Sequence, residues 1–387
     1  MKITVISTDR EPVPPTYGGA IGRYIFDLAR ELVKRGHKVT IIGIPNIRTD
    51  YRSLGINFIP IVKSDRKNAF QRVLGDNINI IPNSISLMRI KNLLESSEIV
   101  QAHYFTTWAL LPWLCKTPLL IQVWHNVPKP NIINKILARN FDLIIGVSKF
   151  IARKITSNLN VEANKVTVIY DFVNTDTFKY DKELREFYRK KLNLNNDDIA
   201  LLYVGRIIPE KGLHYMLVTL HMLKKKYKKL KLLIVGPEGQ FDKIETVYPT
   251  FIRQLIVKLK LEKDIIWLRN VSFKELLGIY NATDIVGIPT TMEEGGVLLV
   301  TLEAMASQKP IVAFNSGAIS EALDHMRTGL LVPKGDIRAF SKAIELLISD
   351  ERLRLRLAIN ARRFCEEKFS VKTAVDGLLK LYKRYLI

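Results

Sequence analysis

The sequence contains few cysteines, and its apolar residues form no long unbroken run. The two cysteines among the 387 residues, Cys115 and Cys365, are far apart in the chain and match neither a disulfide framework nor a zinc-binding spacing. The most apolar stretch, residues 108–124, is interrupted by a lysine and two prolines, so it stays below the ~18 apolar residues of a membrane-spanning helix. The first residues, MKITVIS, enter a strand-like run without a signal-peptide core. We therefore expect a cytoplasmic protein.

Acidic residues are also in short supply. There are 38 of them against 59 lysines and arginines, a net charge of +21, which divides into +10 over residues 1–178 and +11 over residues 179–387. Such an even spread is not a basic tail, and it suits an anionic partner such as nucleic acid, an acidic lipid surface or a phosphorylated substrate. A solvated basic surface without a specific partner is the alternative that charge alone leaves open.

Short β-branched runs alternate with helical patterns, which predicts an α/β fold with parallel sheets. In the first half we predict strands at residues 2–7, 38–44, 99–102, 119–123, 143–147 and 166–169. In the second half we predict strands at residues 200–204, 230–235, 265–267, 285–288 and 310–313. The two series predict two tandem, doubly wound, Rossmann-like domains: residues 1–178 joined by an amphipathic C-terminal helix (370–387), and residues 179–369. Such domains bind ligands at the carboxyl ends of their strands.

Two loops that follow strands carry residues suited to phosphate. Gly18 and Gly19 precede the first helix, whose free N–H groups can bind an anion. In VGRIIPEKG, Gly205 ends a strand, and Arg206 and Lys211 could together neutralise a diphosphate. A leaving nucleoside diphosphate needs such cations because its negative charge grows in the transition state. The ordinary alternatives are a simple turn and two surface cations.

A third segment, MEEGGVLLVTLEAMASQKP, suits a sugar and a ribose. Glu293 and Glu294 precede Gly295 and Gly296, and Glu303 follows inside an apolar helix. Carboxylates bind sugar hydroxyls through charge-assisted hydrogen bonds, and the glycine pair can present N–H groups at a helix start. The first two acids could merely favour the helix N-terminus, but a lone buried acid such as Glu303 is costly.

Two histidines lie just past predicted strands, His103 in VQAHYF and His125 in VWHNVP. A histidine at a strand end can donate a hydrogen bond or transfer a proton. The alternative is that each is a structural histidine with its hydrogen bonds satisfied.

Taken together, these segments resemble the retaining glycosyltransferases of family 4, which have the GT-B fold. GGAIGRYIFDLARELVKRGHKVTI is similar to the family's first loop and helix, and VGRIIPEKG is similar to its diphosphate-binding signature. LEAMASQKPIVA and SGAISEALDHMRTGLLVPKGD are similar to its nucleotide-side signatures. The resemblance covers nearly the whole chain, and it implies two Rossmann-like domains facing a cleft, with the C-terminal helix crossing back to the first.

The resemblance also implies a role for each matching residue. Arg206 and Lys211 would bind the donor diphosphate, Glu303 would bind the ribose, and His103 would lie beside the reacting sugar. The implied catalytic residues are His103, Arg206, Lys211 and Glu294. The implied donor-binding residues are Gly18, Gly19, Gly205, Glu293, Gly295, Gly296, Val297, Leu298 and Glu303. Transfer would proceed with retention and without a required metal or other cofactor.

Three features depart from the family pattern: one spacing, one dipeptide and one single residue. Eight residues separate Glu294 from Glu303, one more than is usual, and nine separate Glu293 from Glu303, so either glutamate could contact the sugar. Asp171-Phe172 stands where the family has Asn-Gly, and Gln101 stands where it has the first histidine of a His-any-His pair.

We therefore predict a hexosyltransferase that uses a UDP-, GDP- or ADP-linked sugar. Basic residues surround apolar ones between residues 63 and 74, which suits a lipid-linked or glycan acceptor at an anionic membrane surface; an ordinary surface helix is the alternative. The sequence does not specify the donor base, the sugar, the acceptor or the oligomeric state.

Three other functions are weaker alternatives. A sugar-nucleotide epimerase with the same fold would release free sugar and nucleotide. A nucleic-acid-binding protein is disfavoured because the basic residues are dispersed and no aromatic-basic RNA motif is present. A nicotinamide-dependent dehydrogenase is disfavoured because no strand leads into G-x-G-x-x-G.

Overall fold

The computed structural model describes residues 1–8, 11–16, 19–61, 90–103, 111–114, 116–237, 243–293 and 295–386. The chain forms two compact units, the first made of Met1–Phe172 with Val371–Ile387 and the second of Val173–Ser370. None of the helices in the described ranges is long and apolar enough to cross a membrane.

The first unit contains one parallel sheet and short helices. Its strands are β1 (Lys2–Ile6), β2 (Pro12–Val13), β3 (Lys38–Pro45), β4 (Ile56–Pro60), β5 (Ile99–His103), β6 (Leu119–Trp124), β7 (Leu143–Gly146) and β8 (Val166–Val168). Its helices from the first half of the chain are α1 (Ala20–Lys34), α2 (Lys91–Glu95), α3 (Leu111–Leu114), α4 (Ile132–Ala138) and α5 (Lys149–Leu159).

The sheet of the first unit runs β2-β3-β1-β5-β6-β7-β8, and β4 also pairs with β3. All of these pairs are parallel. Every residue of β5 and β6 is buried, as expected for parallel strands covered on both faces. Successive residues of β6 enter different apolar clusters, Ile121 with α1 and Leu120 with α5.

The second unit is a six-stranded parallel sheet with helices between its strands. Its strands are β9 (Ile199–Val204), β10 (Leu230–Val235), β11 (Ile265–Leu268), β12 (Ile285–Ile288), β13 (Ile311–Phe314) and β14 (Leu330–Val332). Its helices are α6 (Lys182–Lys191), α7 (Leu213–Lys224), α8 (Lys243–Lys258), α9 (Phe273–Ala282), α10 (Leu299–Ala306), α11 (Ile337–Ser349) and α12 (Glu351–Lys368). The strand order is β11-β10-β9-β12-β13-β14.

The helix α13 (Val371–Leu386) follows the second unit in sequence but belongs to the first. Its apolar stripe, which includes Val375 and Leu378, lies in the same buried cluster as α1. The buried hydroxyl of Tyr382 lies 2.7 Å from Oε1 of Gln101 in β5. The predicted return of the C-terminal helix is therefore confirmed, and Gln101, one of the departures from the family pattern, is its hydrogen-bond partner.

The α/β class and the doubly wound sheets are confirmed, and all eleven predicted strands are present within a residue or so of their predicted ends. Three strands were missed: β2, β4 and β14. β2 contains two residues and β14 three, and β4 shows a mixed burial pattern. Strands this short, or this partly buried, show no clear period.

Candidate functional site

The second unit reverses its strand order between β9 and β12. From β9 the chain builds outward through β10 to β11, and then returns to build β12, β13 and β14 on the other side. In open parallel sheets, ligands bind beyond the carboxyl ends of the strands at such a reversal. The loops that leave β9 and β12 carry Arg206, Lys211 and the segment from Glu293 to Leu298, so this edge contains most of the predicted donor-site residues.

The loop after β9 is held by backbone contacts and carries both predicted cations. Arg206 is exposed and Lys211 is half-buried, and Pro209–Lys211 forms a single 3-10 turn. Gly212 closes that turn with a φ of +75° and is the N-cap of α7. A Cβ atom on Gly212 would lie 2.0 Å from the carbonyl oxygen of Pro289, just after β12, so only glycine fits where the two loops touch.

The loop after β10 approaches the same backbone. The Gly205 N–H donates to the Val235 carbonyl at 2.9 Å, and the Ile207 N–H donates to the Pro237 carbonyl at 3.1 Å. Gly236 has a φ of +149°, and a Cβ there would lie 1.9 Å from the Gly205 carbonyl oxygen. Gly236 was missed as a site residue, although a buried strand ending in Gly-Pro-Glu-Gly is a usable signal.

The loop after β12 is tied to the residue beside Lys211. The Thr291 N–H donates to the Glu210 carbonyl at 2.8 Å, and the Thr290 hydroxyl donates to it at 3.1 Å. Further along, the Ser316 hydroxyl after β13 donates to the Met292 carbonyl at 2.8 Å. Three strand ends are thereby joined by hydrogen bonds at one edge of the sheet.

The acidic end of that loop is open to solvent. Glu293 is exposed, and its carboxylate lies 3.7 Å from Nζ of Lys334, which follows β14. Glu294 lies outside the described residues. Gly295 and Gly296 do not start the helix as expected. They lie in a bend that precedes it, Leu298 is the N-cap, and α10 begins at Leu299.

Glu303 lies inside α10 and is buried at 6% exposure, as its apolar surroundings predicted. The Tyr280 hydroxyl donates to Oε2 of Glu303 at 2.8 Å. Burial and the Glu303 carboxylate raise the pKa of Tyr280 well above its usual range, so the phenol stays a donor. The buried acid therefore has a fixed orientation, and Tyr280, which sequence reasoning missed, provides it.

In the first unit the strand order reverses between β1 and β5, and His103 is the last residue of β5. Nδ1 of His103 lies 2.9 Å from Nε2 of His125, which follows β6. Nδ1 of His125 lies 3.5 Å from Oδ1 of Asp171. In the sequence, only the family resemblance distinguishes His103 from His125. The structure places both histidines in one chain with Asp171.

The Tyr24 ring packs against both histidines and against Phe172. The Tyr24 ring of α1 lies 5.3 Å from the His103 ring, 5.0 Å from the His125 ring and 4.2 Å from the Phe172 ring, centroid to centroid. Burial, with a smaller effect of His125, lowers the pKa of His103 well below its usual range. Burial raises the pKa of Asp171, and its hydrogen bond from His125 acts in the opposite direction. At neutral pH His103 is therefore uncharged.

The amino terminus of α1 already accommodates a carboxylate. Gly19 is the N-cap, with a φ of +94°, and a Cβ on it would lie 2.5 Å from Oε2 of Glu11. Oε1 of Glu11 accepts the Gly22 N–H. Burial raises the pKa of Glu11, which this hydrogen bond and His125 partly offset. The predicted anion-binding terminus is thus occupied by Glu11; its other predicted residue, Gly18, lies outside the described residues.

Two further predictions concern the acceptor segment and the need for a metal. The basic and apolar residues between 63 and 74 lie outside them. Within them, no three or more His, Cys, Asp or Glu side chains cluster as a metal site would require.

Two family models match the chain in succession. The model described as Glycosyltransferase Family 4 matches residues 17–177, and the model described as Glycosyl transferases group 1 matches residues 185–364. The second match contains both loops at the strand reversal of the second unit, and the first contains the histidine chain.

Individual proteins agree with these matches. The capsular polysaccharide biosynthesis glycosyltransferase CapM of Staphylococcus aureus is 31% identical over 250 residues, which cover 63% of this chain and 62% of CapM. The chain thus matches less than two thirds of that relative. A Rickettsia africae glycosyltransferase structure superposes with a TM-score of 0.80 at 20% identity, covering 100% of this chain and 98% of that one. HepE of Anabaena, solved with UDP-glucose, superposes with a TM-score of 0.79 at 19% identity, covering 99% and 100%.

Proposed function

Since the chain belongs to the GT-B glycosyltransferases, with a family 4 segment followed by a group 1 segment, we propose that it moves a sugar from a nucleoside diphosphate sugar to an acceptor hydroxyl with retention of configuration. The observation that carries the donor class is the strand reversal between β9 and β12. There an exposed arginine and a half-buried lysine lie on a loop pinned by glycine and threonine contacts. A diphosphate suits this pair of cations.

The proposed chemistry relies on these cations. As the bond from the sugar's anomeric carbon to the diphosphate oxygen breaks, negative charge develops on the diphosphate, and Arg206 and Lys211 stabilise it. The acceptor oxygen forms its bond to the anomeric carbon on the same face, and its proton passes to the departing diphosphate oxygen. Charge stabilisation by two fixed cations is the reason that we propose no required metal.

We assign the remaining donor contacts to the loop and helix after β12. The Glu303 carboxylate, oriented by Tyr280, would accept hydrogen bonds from the ribose hydroxyls. Gly205, the glycine pair and the backbone of Val297 and Leu298 would approach the phosphates and the sugar, and Glu293 or Glu294 would accept a sugar hydroxyl. Among proteins with this fold, HepE was solved with UDP and with UDP-glucose, which supports a nucleotide-sugar donor.

A thermal-shift series with UDP-, GDP- and ADP-sugars tests the donor class. A bound donor stabilises the folded protein by mass action and so raises Tm. At a donor concentration of 100 times Kd, the stabilisation is about 2.7 kcal/mol. Product analysis with the best donor then separates transfer from the epimerase alternative, which releases free sugar and nucleotide. No Tm shift with any donor contradicts the proposal, and an α-linked donor giving a β-linked product contradicts retention.

For the acceptor we propose a lipid-linked or glycan hydroxyl presented at an anionic membrane surface. The net charge of +21 and the basic-apolar composition of residues 63–74 support it. CapM, a relative, is named for capsular polysaccharide biosynthesis. Liposomes containing acidic lipid should retain the protein at low salt, and liposomes of neutral lipid should not. Equal recovery of the protein with acidic and with neutral liposomes would contradict the proposed membrane-surface acceptor.

A further inference from the structure

Three side chains from separate elements of the first unit form a continuous polar chain. Nδ1 of His103 faces Nε2 of His125 at 2.9 Å, and Nδ1 of His125 faces Oδ1 of Asp171 at 3.5 Å. The remaining ring nitrogen, Nε2 of His103, is buried and has no hydrogen-bond partner among the described residues. A buried polar atom without a partner is costly and calls for an explanation.

The order of donors and acceptors along this chain follows from its end. A carboxylate only accepts hydrogen bonds, so the proton that His125 shares with Asp171 sits on Nδ1 of His125. A neutral imidazole has one N–H, which leaves Nε2 of His125 as an acceptor. Nδ1 of His103 must then donate to it, and Nε2 of His103 carries a lone pair.

The surroundings hold this arrangement in place. Tyr24 packs against both imidazoles and against Phe172, so the rings have little room to rotate. Among the described residues, the charged or titratable groups around the pair are Asp171, Glu11 and the Tyr24 phenol. Glu11 interacts electrostatically with His125 but hydrogen-bonds to α1. Asp171 is therefore the acceptor that decides which nitrogen of His125 is protonated.

We infer that Asp171 and His125 are positioning residues that hold the His103 imidazole with its proton on Nδ1, so that Nε2 is presented as a hydrogen-bond acceptor at the carboxyl end of β5. The ligand of this nitrogen rests on the proposed function: Nε2 accepts a hydrogen bond from a hydroxyl group of a bound sugar. The two departures from the family pattern at positions 171 and 172 then act together, because Asp171 directs the proton and Phe172 supports the Tyr24 ring.

The tautomer can be observed without any substrate. Protein labelled with ¹⁵N-histidine is studied by long-range ¹H–¹⁵N correlation at about pH 7.5, above the range of free histidine. The chain has six histidines, and the spectra of His103→Gln and His125→Gln assign the two in question. We expect His103 and His125 both to carry the proton on Nδ1, although free histidine prefers Nε2. A proton on Nε2 of His103 overturns the inference.

Two substitutions at position 171 separate positioning from packing. Asp171→Asn keeps an oxygen that can accept from His125, and should preserve both tautomers. Asp171→Ala removes the acceptor, and should convert a measurable share of His103 to the Nε2–H form. If Asp171→Ala leaves the tautomer of His103 unchanged, Asp171 does not direct it. Should that variant fail to fold, the wild-type spectrum still decides the central point.

Kinetics link the tautomer to the proposed transfer. We expect kcat of Asp171→Ala to fall on the order of tenfold or more, the lower end of the loss seen when a partner that orients a metal-bound histidine is removed. Asp171→Asn should keep most of kcat. Equal losses in both variants would mark a packing defect and contradict positioning. An Nδ1–H tautomer in a protein that transfers no sugar would contradict the proposed function and leave the positioning of His103 intact.

Discussion

The two strand reversals in this molecule are built in opposite ways. In the second unit, between β9 and β12, the groups that we propose to be functional are an exposed Arg206 and a half-buried Lys211, and glycines and backbone hydrogen bonds shape the loops around them. In the first unit, between β1 and β5, the group that we propose to be functional is His103, which is fully buried at 0% exposure and packs against the Tyr24 ring.

The difference indicates how each edge can act. An arginine and a lysine on a pinned loop suit a highly charged ligand, because cations form strong, charge-assisted hydrogen bonds with phosphate oxygens. A buried neutral imidazole cannot compensate a charge, but it can accept or donate one directed hydrogen bond. We therefore assign charge stabilisation to the second unit and orientation of hydroxyls to the first.

The largest expected effect tests the cationic edge. Lys211→Ala should lower kcat by about 10²–10³-fold, the usual cost of deleting one group that stabilises transition-state charge, with little change in Tm because Lys211 is half-buried on a loop. Steady-state kinetics with the preferred donor measure it. Lys258→Ala, an exposed lysine at the end of α8, is the matched control. Equal activity of the two variants would break the assignment of charge stabilisation to this edge.

A smaller effect should come from the buried part of the same edge. Tyr280→Phe leaves the Glu303 carboxylate with one donor fewer, which costs about 1–3 kcal/mol. We expect a lower Tm and a several-fold higher KM for the donor with kcat nearly unchanged, because Glu303 is assigned to binding. Tyr385→Phe, on the exposed side of α13, controls for loss of a tyrosine hydroxyl. A change in kcat alone would rule out this role.

A pH series sharpens the contrast with the first unit. The pKa of His103 is lowered by burial, so below about pH 6.5 the unfolded chain binds a proton there that the folded chain does not. Stability from this group is complete above pH 6.5 and falls with decreasing pH, by up to about 1.4 kcal/mol per pH unit. Urea unfolding at pH 7.5 and at about pH 5.5 should show a smaller loss in His103→Gln than in the wild type. An equal loss would mean that His103 is protonated when folded.

The smallest effect is expected at the rim. Lys334 and Glu293 are 45% and 61% exposed at 3.7 Å, and exposed ion pairs contribute about 0–1 kcal/mol. Lys334→Ala should therefore leave Tm almost unchanged, and any effect should appear in the donor KM and fade with added salt. A large drop in Tm would show that the Lys334–Glu293 pair stabilises the fold. The edge of the second unit would then depend on side-chain contacts, as the edge of the first unit does.

The sequence was sufficient for most of the second unit. Buried parallel strands are continuous apolar runs, and the loops that follow them show their arginine, lysine and glycines directly in the chain order. Gly236 and Tyr280 were missed because their roles depend on which strands and helices become neighbours. Strand order is not visible in local patterns.

The site of the first unit was harder to predict from the sequence, because more of its residues become neighbours only through the strand order. His103 is the last residue of β5, His125 follows β6, and Asp171 comes after β8. Tyr24 comes from a helix near the start of the chain. No local spacing connects them; only the order β1-β5-β6-β7-β8 does. The Gln101 departure, too, was understood only when α13 placed Tyr382 against it.

The membership of α13 in the first unit has a consequence for biosynthesis. A ribosome makes residues 1–172 first, then all of residues 173–370, and only then the helix that shares a buried cluster with α1. At ordinary elongation rates of about 5–20 residues per second, the nascent first unit waits roughly 10–40 s with that apolar surface uncovered. The second unit is continuous in sequence, from Val173 to Ser370, so its core does not wait for a later segment of the chain.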